Sequence, residues 1–338
     1  MTAELKENGM KTTRLGLIGL GYMGAIHLKN CLRLKSAKVI AAADISKKAL
    51  NNARQLGVKY VYREYEELLK NPEVEGVVIS LPTHLHSVCA QASAEAKKDV
   101  FLEKPFARNP MEGETIVRAC EKNDVKLMVG YPFRFGMPFM RLKENLKDGI
   151  LGEAQIAHAT MVGPGPFFHR AEGYAPRPVP SWWFDKELTG GGAMIDLGCH
   201  MVNLVRWYFG EAREVTCYVG HRFNLDFEDY AVCICRMNSG TVATVTVGWF
   251  SRDSSAKVEV FGTSRILTAK RESSNKILNA AQNLTGLTSK FDLPYLCEEQ
   301  HFVNSIQNDR NPEPSGQDAV RDLELIYRAY RNSVSLDD

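Results

Sequence analysis

Three side chains in this sequence make a set for moving a proton beside a reacting hydroxyl. Lys104 follows the apolar run Val100-Phe101-Leu102, so it projects from the end of a strand. Asp196 and His200 are four residues apart in the helical pattern 193–209, which places them on one helix face. A secondary alcohol that loses a hydride must also lose its hydroxyl proton. Such a site needs a base near neutrality and a cation that steadies the alkoxide. His200 suits the first role and Lys104 the second, and Asp196 is placed to hold the imidazole and favour its charged form. Singly, each has a plainer use: a lysine before proline is a common solvated strand end, and an Asp/His pair on an apolar helix a satisfied core pair. The combination carries the reading.

A hydride needs an acceptor, and the start of the chain offers a place for one. The apolar run ending at Ile18 feeds Gly19-x-Gly21-x-x-Gly24 and then the helical pattern Ala25, Leu28, Leu32. Gly19 makes the tight turn, Gly21 lets backbone N–H groups approach a pyrophosphate, and Gly24 allows close helix–strand packing, with a helix N-terminus aimed at the anion. Asp44 closes a second apolar run twenty residues beyond Gly24, where a ribose 2′-hydroxyl needs an acceptor. These residues predict NAD as cofactor, with Ser46 and Lys47 leaving room for NADP.

The elements that must position these groups follow from the patterning. The first part alternates strand and helix signals, which implies a doubly wound parallel sheet with ligands at the carboxyl ends of its strands. The second part has successive strands near 154–162, 214–223, 230–237, 241–250 and 257–261, with short turns between several of them. That is an α+β unit on a large, mostly antiparallel open sheet, interrupted by the helix 193–209 and closed by helices at 295–306 and 316–331. The expected division is a dinucleotide-binding domain over residues 1–133 and a substrate-binding and oligomerisation domain over 134–338. The polar stretch 272–290 reads as a long loop, and the charged start of the chain as a frayed tail.

Composition narrows the function classes. With 338 residues, 44% hydrophobic and 24% charged, and a net charge of +2 with neither sign in blocks, there is no electrostatic case for nucleic acid or an anionic membrane. No apolar run reaches the roughly eighteen residues of a membrane span. The eight cysteines and eight histidines show no metal-ligand spacing, so no metal is expected, and the thiols read as reduced and buried in a cytoplasmic protein. The long segment from Gly163 through His169, Arg170 and Arg177 to Trp182-Trp183-Phe184 is aromatic and basic. It suits stacking on a sugar, a phosphate contact in a nucleotide sugar, or subunit packing.

The motifs Gly19-x-Gly21-x-x-Gly24, Asp44, Thr83-His84-x-His86, Glu103-Lys104-Pro105 and Gly190-Gly191-Gly192-x-x-x-Asp196-x-x-x-His200 together resemble the glucose–fructose oxidoreductase/inositol dehydrogenase/rhizopine-catabolism family over nearly the whole chain. The resemblance implies a nicotinamide-dependent dehydrogenase of sugars, cyclitols or their derivatives, with Lys104, Asp196 and His200 as its catalytic trio. It further implies cofactor contacts from Gly19, Gly21, Tyr22, Met23, Gly24, Asp44, Pro82, Thr83, His86, Glu103 and Lys104. The implied substrate contacts are Lys104, Arg134, Asp196, His200, Asn203 and Tyr295, and the implied assembly is a homodimer or homotetramer built on the C-terminal sheet. Asn203 stands where many members carry an aspartate, and Phe133 where members often place a polar or basic residue. A nucleotide-sugar 3-dehydrogenase and a non-catalytic dinucleotide sensor are the alternatives, and the full proton-transfer set argues against the sensor.

Overall fold

The computed structural model describes residues 12–170, 173–176, 179–271 and 293–336. Its first sheet has six parallel strands: β1 (Thr13–Ile18), β2 (Ala37–Ala43), β3 (Tyr60–Tyr62), β4 (Gly76–Ile79), β5 (Asp99–Glu103) and β6 (Leu127–Gly130), in the order β3-β2-β1-β4-β5-β6. The helices α1 (Tyr22–Cys31), α2 (Lys47–Gln55), α3 (Tyr65–Leu69), α4 (Thr83–Glu95) and α5 (Pro110–Asn123) connect these strands. Helices on both faces explain why β4 is buried at all four positions and why the strands read as unbroken apolar runs. The chain reverses direction across the sheet between β1 and β4. A crevice therefore opens at their carboxyl ends, where Gly19 and Pro82 lie.

After a 3₁₀ turn (Pro132–Phe135) and α6 (Met137–Lys147) comes a seven-stranded sheet. Its strands are β7 (Ala154–Val162), β10 (Ala212–Gly220), β11 (Tyr230–Met237), β12 (Val242–Gly248), β13 (Ser255–Gly262), β14 (Ile266–Lys270) and β15 (Ser333–Ser335), in the order β14-β13-β7-β12-β11-β10-β15. Pairing is antiparallel except at β7–β12 and β10–β15. On β11 the buried residues Ala231, Cys233, Cys235 and Met237 alternate with positions such as exposed Ile234 and Arg236, so one face is core and the other is open. Helices α8 (Cys199–Phe209) and α10 (Gly316–Arg331) pack on the inner side, and α9 (Leu293–Gln307) returns to pack on α1 and β1 of the first sheet.

Several features depart from the sequence reading. A small hairpin, β8 (Phe167–Arg170) with β9 (Gly173–Pro176), lies inside the aromatic segment, and β14 and β15 extend the sheet at its two edges. The helix expected over 193–209 begins as a π-helical turn, Met194–Gly198. The thiols are not all reduced: Cys217 and Cys233, directly opposite on β10 and β11, form a disulfide, and the other six cysteines are free. The expected loop 272–290 lies outside the described residues, as do Arg177 and the side chains of His169 and Arg170. Among the described residues no helix is long and apolar enough to cross a membrane.

Candidate active site

The glycine turn is shaped by contacts that exclude side chains. A Cβ on Gly24 would sit 1.9 Å from the Gly19 carbonyl oxygen, so only glycine lets α1 start this close to β1. A Cβ on Gly21 would meet nothing within 4 Å, and no side chain caps α1. The first N–H groups of α1 thus face an open cradle, which fits the pyrophosphate of a dinucleotide. Asp44 reaches back to this turn: its Oδ2 accepts the Leu20 N–H at 2.6 Å and its Oδ1 the Ser46 N–H at 2.7 Å. Tyr22 is exposed at the mouth of the turn, with Met23 half-buried beside it.

At the end of β5, Lys104 meets the π-helical turn. Its Nζ donates to Asp196 Oδ1 at 2.9 Å and to the Asp196 carbonyl at 3.3 Å. Burial works against the ammonium charge, but the Asp196 carboxylate outweighs it and raises the lysine pKa. The other carboxylate oxygen, Oδ2, accepts from Trp249 Nε1 at 3.3 Å. The turn itself is held by Glu228, which is buried. Its Oε2 accepts the Gly192 N–H at 3.3 Å, its Oε1 the Met194 N–H at 2.9 Å, and its backbone carbonyl the Ala193 N–H at 3.1 Å.

His200 is buried one turn further on, edge-on to Phe133 at 5.0 Å and Tyr131 at 6.1 Å between centroids, and its Nδ1 has no hydrogen-bond partner. Asp196 does not hold this imidazole, contrary to the sequence reading. Its carboxylate is spent on Lys104 and Trp249, and the π-turn changes the relation that a regular i, i+4 pair would have. The imidazole is also not driven to its charged form: burial first, then repulsion from Lys104 and Arg271, push its pKa well below 6.5.

Four other expected contacts have partners within the protein. Arg134 Nε donates to Asn203 Oδ1 at 2.8 Å, and Asn203 Nδ2 donates to Asp322 Oδ2 at 2.6 Å, while Asp322 also pairs with Arg206. These buried partners join Arg134 and Asn203 in a core network. His86 is buried, with Nε2 2.8 Å from the Leu81 carbonyl, so it braces the turn after β4. Glu103 is buried too. Its Oε1 lies 2.8 Å from His27 Nε2 and its Oε2 accepts the Lys104 backbone N–H at 2.9 Å. His27, Glu298 and Glu299 join it there, a cluster that sequence reasoning missed.

Two cavities flank the site. A narrow one of about 40 Å³ touches Asp196 and is bounded by Thr83, Pro105, Trp182, Trp183 and Trp249. A larger one of about 530 Å³ lies behind Phe133 and is bounded also by Arg271, Arg141 and Tyr295. The narrow cavity adjoins the Lys104–Asp196 pair, and the ring of Phe133 stands between the larger one and His200.

A parallel sheet with an open glycine cradle, a Lys–Asp pair at its strand ends and a neutral buried histidine defines a dinucleotide-dependent oxidoreductase. Residues 13–131 match the oxidoreductase family with an NAD-binding Rossmann fold, and residues 139–268 match the GFO/IDH/MocA C-terminal domain. The chain belongs to the GFO/IDH/MocA oxidoreductase family. It is 28% identical over 340 residues to myo-inositol 2-dehydrogenase of Thermotoga maritima, an alignment covering 94% of this chain and 96% of that protein. It is 27% identical over 344 residues to the NAD-dependent scyllo-inositol 2-dehydrogenase of Bacillus subtilis, covering 95% of each. The crystal structure of a probable dehydrogenase from Thermotoga maritima is similar at a TM-score of 0.80 and 26% identity, over 94% of this chain and 96% of that one.

Proposed function

We propose that this enzyme oxidises a ring carbon bearing a secondary hydroxyl on an unphosphorylated sugar or cyclitol, with NAD as the acceptor. The observation that carries the reading is the 2.9 Å contact of Lys104 Nζ with Asp196 Oδ1, near a buried His200 whose Nδ1 is unpartnered. The nicotinamide, when bound, supplies the ring that takes the hydride. Two of the three ammonium N–H groups of Lys104 are directed at Asp196, which leaves the third for the substrate oxygen as charge develops on it. His200, held neutral by burial and nearby cations, takes the hydroxyl proton on Nδ1, the buried nitrogen left without a partner. Asp196, turned by Trp249, keeps the ammonium aimed.

Two observations support the substrate class. Trp182 and Trp183, half-buried at the narrow cavity beside Asp196, suit stacking on the C–H face of a ring. Relatives alignable over nearly the whole chain are named as inositol dehydrogenases. The 3₁₀ turn Pro132–Phe135, which lies in the chain between the strands of the two sheets, supports a division at 133/134. The open face of the second sheet carries exposed Ile156, Ile234 and Val242, a surface suited to pairing subunits into a dimer or tetramer.

A panel of inositols, hexoses, anhydrosugars and nucleotide sugars, assayed with NAD and NADP, tests the reading. The expected result is NAD-linked turnover of an unphosphorylated polyol, lost in Lys104→Ala. Turnover confined to nucleotide sugars would overturn the substrate class.

A further inference from the structure

Behind the strand end that carries Lys104, four ionisable side chains are buried together. His27, on the second turn of α1, has Nδ1 2.6 Å from Glu299 Oε1 and Nε2 2.8 Å from Glu103 Oε1. Glu299 and its neighbour Glu298 come from α9, and both carboxylate oxygens of Glu298 are buried without a partner. Three carboxyl groups removed from water are costly unless their charges are compensated, so the cluster calls for a use.

The geometry and the electrostatics agree on the charges. Both ring nitrogens of His27 lie within hydrogen-bond distance of carboxylate oxygens, and an imidazolium meets both with a donor. Burial opposes that charge, but hydrogen bonds and attraction from Glu103 and Glu299 overcome it and raise the pKa to about 10. Burial pushes Glu299 up to about 7 and raises Glu298 well above the ordinary carboxylate value. The other groups facing the cluster are Tyr295 of α9, edge-on to the imidazole, the Cys31 thiol of α1, and Lys104 itself. One ion pair, His27 with Glu103, therefore dominates, and Glu103 has a second duty: its Oε2 receives the Lys104 backbone N–H at 2.9 Å.

We propose that His27 is a positioning residue for Lys104: gripped by Glu299 from α9, it fixes Glu103, and Glu103 fixes the backbone of Lys104 and so the reach of its ammonium to Asp196. The helix whose N-terminus forms the glycine cradle is thereby tied to the residue that steadies the substrate oxygen. This inference rests on Lys104 acting as proposed above.

The test combines a spectroscopic readout with kinetics. In protein labelled with ¹⁵N-histidine, His27, assigned by its loss in His27→Gln, shows two ring N–H groups at about pH 8, where an ordinary histidine is neutral. His27→Gln and Glu103→Gln each lower kcat by about tenfold or more, with NAD Kd changed less than about twofold, and the double variant recovers much of that loss because the His27–Glu103 ion pair is removed as a whole. A neutral His27 at that pH overturns the proposal. So do single variants that keep wild-type kcat while Lys104→Ala is inactive, and so does a double variant whose loss is the sum of the singles. Retained turnover in Lys104→Ala instead refutes the functional reading itself. If His27→Gln does not fold, Glu299→Gln, which keeps an acceptor but not the charge, decides the matter. The second ring proton then leaves at lower pH than in wild type, and an unchanged titration refutes the clasp.

Discussion

Asp196→Asn separates the charge of the Lys104 partner from its shape. The amide retains a carbonyl oxygen for Lys104 Nζ, while its NH2 cannot accept from Trp249 Nε1, so the variant gives up that long 3.3 Å hydrogen bond together with the electrostatic part of a 2.9 Å contact between side chains only 21% and 17% exposed. Coulomb's law at that distance gives about 6 kcal/mol at an effective dielectric of about 20, and the remaining solvent access and the surviving neutral hydrogen bond reduce this to about 2–3 kcal/mol. A loss of that size in aiming the ammonium lowers kcat/KM by about 30- to 150-fold. A second consequence follows from the lysine. In wild type Asp196 outweighs burial and keeps Lys104 protonated, whereas in the variant burial acts with less opposition and the lysine pKa falls. The variant therefore gains an alkaline limb that the wild type lacks over the same range. The assay is kcat/KM by NADH absorbance from about pH 6 to about 10. A variant keeping more than about a third of wild-type kcat/KM, with an unshifted profile, would show that the Asp196 charge does not aim Lys104.

Three further outcomes follow. Asp44→Ala should narrow the preference for NAD over NADP by removing repulsion of a 2′-phosphate, as measured by cofactor Kd; tighter NADP than NAD binding in wild type would contradict the role. Because His200 must be neutral to accept a proton and its pKa lies well below 6.5, kcat/KM should stay flat through neutral pH and fall only as pH drops through that depressed value. An acid limb at or above 6.5 that disappears in His200→Gln would show a different environment. If subunits pair through the open sheet face as proposed, Ile234→Glu should shift sedimentation to a smaller species, and unchanged sedimentation would refute that interface.

What could be read from the sequence was what short-range constraints dictate. The turn at Gly19 and the close packing at Gly24 were legible because they recur at set spacing, and the parallel sheet was legible because buried strands leave continuous apolar runs. The partners of each site residue were not legible, since they come from distant segments. Asp196 looked like a partner for His200 on a regular helix, but the π-turn, Trp249 and Lys104 claim its carboxylate. Nor did the sequence show that Asp322, from the last helix, draws Asn203 into the core and that Asn203 takes Arg134 with it. His27 gave a faint signal: with Glu298 and Glu299 it occupies helix positions where apolar side chains would ordinarily be buried. Only the fold brings the three together.

Turnover of the substrate found in the panel reports whether Lys104 and His200 perform the proton chemistry of a dinucleotide-linked alcohol oxidation. Wild type should be compared with Lys104→Ala and His200→Ala, with NAD affinity measured alongside. Each variant is predicted to lose about a hundredfold or more in kcat while binding NAD nearly as wild type does. Near-wild-type turnover in either variant would contradict the account.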